Sequence, residues 1–118
     1  MNAPSQAPIH DCVIRGGDIV DGTGAPRYRA DLAIDGDRIA AIWRPGDAGA
    51  PPVGRETIDA TGRVVAPGFI DVHTHDDTAL IANPGMAMKT SQGVTSVVCG
   101  NCGVSAAPVF DPKVSSVM

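Results

Sequence analysis

The sequence predicts a small antiparallel β module, residues 11–66, joined at about residue 67 to the start of an α/β domain, residues 67–118, behind a flexible amino terminus of residues 1–10. Three observations carry this prediction. The stretch "ADLAIDGDRIAAIW" alternates apolar and polar residues on either side of an Asp-Gly pair, the pattern of a β-hairpin. Glycine (14) and proline (10) recur through the 118 residues, so the elements are short and separated by tight turns. After Pro67-Gly68 the pattern becomes apolar strand, helix-forming segment, apolar strand.

In chain order, "CVIRGGDIV" (12–20) reads as two short strands around a Gly-Gly turn, and "VDGTGAP" follows as turn residues. The lone "GTG" is no phosphate loop, because no helix pattern comes after it. The hairpin places Leu32 and Ile34 on one strand, turns at Asp35-Gly36, and returns through Ile39 and Ile42. "RPGDAGAPPVG" (44–54) is a surface loop, and "ETIDATGRVVAPG" resumes short strands with a turn at Thr61-Gly62. "FIDVHTH", "PGMAMKTSQ" and "GVTSVVC" then compose a βαβ unit, whose two strands should be parallel with a right-handed crossover.

Composition removes several classes of function. A net charge of −4 with scattered basic residues leaves no field for nucleic acid or an anionic membrane surface. The opening "MNAPSQAPIH" lacks a basic region followed by an apolar one, and no apolar run approaches membrane-spanning length, so the cytoplasm is the expected compartment. Cys12, Cys99 and Cys102 form an odd set without a secretory signal, which argues against a disulfide framework.

One stretch concentrates chemistry. "GFIDVHTHDD" (68–77) ends an apolar strand with Asp71, His73 and His75 at alternate positions, which strict strand geometry puts on one face. A single histidine here would read as a hydrogen-bonded core or rim residue, but burying several ionisable groups without a strong partner is costly. Two neutral imidazoles on one strand face can converge on a zinc ion, with Asp71 as an acceptor for a ligand N–H. The neighbouring strand runs into "VVCGNCGVS", and if it lies parallel about 4.8 Å away, Cys102 just past its end faces the same ion. Cys99-x-x-Cys102 alone would fit half a zinc ribbon or a redox pair. The second ribbon half is absent, and no helix opens at the motif, so Cys99 reads as a small buried hydrophobe. Cys12 reads as packing and His10 as solvated, while "HDD" lacks the spacing of a calcium loop.

The segments "GGDIVDGTGAPRYRADLAIDGDRIAAI", "VVAPGFIDVHTHDD" and "GVTSVVCGNCGVSAAP" resemble the amino-terminal part of the N-acyl-D-amino-acid deacylases, or D-aminoacylases, of the amidohydrolase superfamily. "PGFIDVHTH" is shared widely in the superfamily, whereas "GNCG" and "VDGTGAP" are narrower. The resemblance implies a β-sandwich module beside a (β/α)₈ barrel, with His73 and His75 at the end of its first strand and Cys102 as a further metal ligand. It also implies zinc-dependent hydrolysis of small N-acyl-D-amino acids. Cys99 stands where the family is expected to carry an aliphatic residue, which leaves a locally oxidisable pair open.

A (β/α)₈ barrel takes about 250 residues, and 50 follow Gly68, so the expected barrel is incomplete and truncated, without its later metal ligands or its aspartate base. No catalytic residue is therefore assigned, and the segment alone is expected to be inactive. Its apolar strand "TSVVC" should need the remainder of the barrel or a partner chain to cover it. The alternatives are another amidohydrolase, such as a cyclic amidase of the dihydropyrimidinase type, or a non-catalytic remnant.

Overall fold

A computed structural model describes residues 8–103 of the chain. Its elements are β1 (Ile9–Ile19), β2 (Tyr28–Asp35), β3 (Arg38–Trp43), β4 (Val53–Asp59), β5 (Val64–Val65), β6 (Phe69–Thr74), α1 (Asp77–Ala82), α2 (Ala87–Thr90) and β7 (Val94–Cys99). They fall into two units, Met1–Pro67 and Gly68–Met118. No helix among the described residues is long and apolar enough to cross a membrane.

The first unit is a five-stranded sheet in the order β3-β2-β1-β4, with β5 also on β1. The β2–β3 hairpin forms as its alternation predicts, although Asp35 pairs with Arg38, so the turn residues are Gly36 and Asp37, one position later than expected. Two other expectations are corrected. Residues 12–19 of the stretch 12–20 are not two strands around a turn but part of one strand, because Gly16-Gly17 is absorbed by a bulge. Arg15 and Gly16 together face the single Asp31, Gly16 takes a φ of 68° that favours glycine, and its N–H donates to Asp31 Oδ1 at 2.8 Å.

The second correction concerns direction. β4 and β5 run parallel to β1, so the sheet is mixed rather than wholly antiparallel. Alternation identifies a strand without giving its direction; a two-residue turn would force antiparallel pairing, and residues 44–52 are a long connection instead. The Thr61-Gly62 turn likewise makes no hairpin. It interrupts one edge, with Ala60 N donating to Arg15 O and Asp18 N to Arg63 O on either side of the break.

Both faces of this sheet contribute buried groups. Val13 and Ala33, paired across β1 and β2, are fully buried, while Ile19, Ala30 and Leu32 cluster with Ile14, Tyr28 and Val65. β1 and β4 approach closely at Gly54, where an added Cβ would lie 2.6 Å from Glu56 O and 2.8 Å from Val13 N.

The second unit is the expected βαβ arrangement. β6 and β7 pair in parallel, and the two short helices connect them. Met86, buried and held at a φ of 40°, opens α2 and receives Lys89 N and Thr90 N on its carbonyl. A β-carbon on Gly68 would overlap the Thr95 side chain, so the entry to β6 is fitted against β7. Phe69, Ile70, Val72 and Val98 remain exposed.

Gly54→Ala tests the parallel pairing, because the methyl group meets backbone atoms that cannot rotate away. It should lower the stability of the first unit by about 1–3 kcal/mol in urea unfolding. An unchanged midpoint would contradict the β1–β4 register.

Candidate metal centre

The site begins with an irregularity in β6. Asp71 pairs with Val97 and Thr74 with Cys99, so Val72 and His73 together face the single Val98. Such a bulge interrupts the ladder and re-aims side chains. Two side chains serve its backbone: Asp71 Oδ1 accepts from His73 N–H at 3.2 Å, and Asn101 Nδ2 donates to Val72 O at 2.8 Å.

The Asn101 bond draws the loop after β7 onto the bulge. That loop is a tight turn, closed by Gly103 N–H donating to Gly100 O at 3.0 Å, with Asn101 and Cys102 between. Cys102 Sγ consequently lies 4.0 Å from His75 Nδ1. One donor atom each from His73, His75 and Cys102 falls within 4.8 Å of the others. The two imidazoles are exposed and nearly parallel, with centroids 6.4 Å apart and 19° between planes, and Cys102 is half-buried.

The donor set fits a borderline-soft ion such as zinc, which takes imidazole nitrogen at about 2.0 Å and thiolate at about 2.3 Å. Tetrahedral ligands at those lengths are about 3.5 Å apart, so the cluster needs only a small contraction.

Asp71 departs from its expected role. Strict alternation would put it with both histidines and opposite Thr74, but the bulge ends that alternation. Its carboxylate accepts from Lys89 Nζ at 2.5 Å as well as from the His73 amide, and among the described residues no imidazole N–H is seen bonded to it. Lys89, on α2, also pairs with Asp76 at 2.9 Å and donates to Thr74 Oγ1 at 3.3 Å.

These contacts shift titrations in a consistent sense. The Lys89 hydrogen bond, then the His73 amide, hold Asp71 below the ordinary aspartate value. Asp76 is lowered by its hydrogen bond with Thr74, then by Lys89. Lys89 is raised by Asp71, then by Asp76.

Cys99 is half-buried on β7, and burial first, then the neighbouring Asp77, push its thiol up. A thiol held protonated is a poor ligand and a poor redox partner, which favours the packing reading over the oxidisable pair. His10 is not a solvated tail residue: it lies in β1, 12% exposed, with Nδ1 2.9 Å from Asp35 Oδ2. Cys12 is half-buried in the same strand. Lys89 and Asn101 have no signature in the sequence. Each acts across 18 or 29 residues, and only "GNCG" as a whole marks Asn101's neighbourhood.

Residues 56–115 match the Amidohydrolase family. The chain belongs to that family. Within it, the chain is 59% identical over 98 residues to the N-acyl-D-glutamate deacylase of Alcaligenes xylosoxydans xylosoxydans, which covers 83% of this chain and 19% of the relative. It is 52% identical over 105 residues to the D-aminoacylase of the same organism, covering 89% and 21%. Among solved structures it is similar to the N-acyl-D-glutamate deacylase of Bordetella bronchiseptica complexed with zinc and a phosphonate inhibitor that mimics the tetrahedral intermediate. The TM-score is 0.76 at 57% identity, covering 89% of this chain and 21% of that one. The chain thus spans about a fifth of the length of the curated relatives it matches.

The pH dependence of the Lys89 cluster follows from its shifts. Aspartates lowered on folding stabilise above about pH 4, and that contribution is lost as pH falls through their depressed values. The raised lysine stabilises below about pH 10, and its contribution is lost as pH rises through its elevated value. In a carboxyl-carbon NMR titration Asp71 should titrate below about 3.9 and move back up in Lys89→Met. An Asp71 curve unaltered by that substitution would contradict the pairing.

Proposed function

We propose that the chain forms the amino-terminal part of a zinc-dependent hydrolase that cleaves the amide bond of N-acyl-D-amino acids, with His73, His75 and Cys102 as zinc ligands. The observation that carries this reading is the convergence of two imidazoles and one thiol within 4.8 Å at the carboxyl ends of two parallel strands. The active site of a (β/α)₈ barrel lies at that face. The similarity to deacylases of N-acyl-D-glutamate and related D-amino acids supplies the substrate class.

When bound, zinc supplies Lewis-acid polarisation of an amide carbonyl and activation of water near neutral pH. The chain's own residues supply the rest of the arrangement. As zinc ligands, His73 and His75 would be neutral donors and Cys102 a thiolate, giving the set one negative charge. The reaction consumes one water and releases a carboxylate and a free D-amino acid. No carboxylate belongs to the donor cluster among the described residues, and Asp71 and Asp76 are committed to Lys89. No proton acceptor is assigned among the described residues. The apolar Phe69, Ile70, Val72 and Val98 would be covered by further barrel strands or a partner chain.

Elemental analysis of the purified 118-residue chain tests the ligand assignment. Near-stoichiometric zinc is expected, falling well below that level in His73→Ala and in Cys102→Ala. Zinc missing from the folded wild-type chain, or retained in both variants, would overturn it.

A further inference from the structure

The segment that bears the histidine pair has a weak backbone framework. Its ladder is interrupted at Val72 and His73, and β6 ends at Thr74, one residue before His75. Besides Asn101 at Val72 O, one side chain contacts this stretch at three points. Lys89 Nζ reaches Asp71 before the pair, Thr74 between the two histidines and Asp76 after them, and it is only 21% exposed.

Each contact fixes a different point of the segment. Asp71 is tied at once to Lys89 and to the His73 amide, so the ammonium acts on the residue that caps the bulge. Thr74 is buried at 6% exposure between the two exposed histidines. Asp76 Oδ2 is buried, with the ammonium 2.9 Å away to offset its charge, while the carboxylate also takes the Thr74 hydrogen bond. The lysine is itself aimed by a constrained base, since its amide is bonded to the carbonyl of buried Met86.

We infer that Lys89 is a positioning residue for the metal centre, clamping the 71–76 segment so that His73 and His75 are presented to Cys102. This rests on the reading of those three residues as zinc ligands. Lys89 is bonded to Asp71, Thr74 and Asp76 rather than to the three donor atoms, and it works through those residues. The sign of its effect separates positioning from simple charge. A lysine near a cation site repels the cation, so charge alone predicts tighter zinc binding once the ammonium is removed. Loss of positioning predicts weaker binding.

The test is the zinc affinity of the 118-residue chain, measured by competition with a chromophoric chelator, with circular dichroism as the folding control. Lys89→Met should bind zinc about tenfold or more weakly, the range seen when groups supporting metal ligands are removed. Lys89→Arg, which keeps charge and donors, should recover most of that loss. A folded Lys89→Met that binds zinc as tightly as wild type, or more tightly, overturns the inference and leaves the ligand assignment standing. A wild-type chain that binds no zinc overturns both. If Lys89→Met does not fold, Lys89→Gln, which is shorter and uncharged but keeps a polar end, answers the question: several-fold weaker zinc binding supports the clamp, and unchanged or tighter binding overturns it.

Discussion

Two residues of β6 facing one of β7 leave a piece of backbone that the ladder does not hold, and the site is organised around that irregularity. A regular strand would send Asp71, His73 and His75 to one face. The bulge instead gives Asp71 to Lys89 and to the His73 amide. Its carbonyl at Val72 takes Asn101, and that bond brings the Cys102 turn to the histidines. Parallel pairing brings the loop after β7 to the end of β6, and the Asn101 bond to the bulge fastens it there.

The first unit meets the same problem in the same way. The β1 bulge at Arg15 and Gly16 exposes an amide, and the Asp31 carboxylate receives it. A carboxylate is a strong acceptor for a stranded N–H, because a charged hydrogen bond recovers more of the lost desolvation energy than a neutral one. The difference lies in the second use of the acid. Asp31 serves a structural bulge alone among the contacts seen, whereas Asp71 also couples its bulge to a lysine on α2.

Much of this was legible beforehand. The hairpin from Leu32 to Ile42, the parallel β6–β7 pair and the three residues of the donor cluster all follow from alternation, turn chemistry and the placing of His73, His75 and Cys102. What was not legible has a common cause. The direction of β4, the bulges at Gly16 and His73, the burial of His10 against Asp35, and the roles of Lys89 and Asn101 all depend on partners distant in sequence. Periodicity reports how a strand meets its own two faces. It carries no information on which neighbour the strand pairs with, or where that pairing slips by one residue.

Membership of the amidohydrolase family and the similarity to zinc-containing deacylases accord with a cluster of two imidazoles and a thiol at strand ends. The central claim is narrower than the activity: parallel pairing of β6 with β7, with its irregularity at Val72 and His73, would bring His73, His75 and Cys102 onto a single ion. Zinc-edge X-ray absorption of the zinc-loaded chain measures this most directly. The account predicts a sulfur shell at about 2.3 Å together with nitrogen at about 2.0 Å. A shell of nitrogen and oxygen alone would place Cys102 outside the site and contradict it.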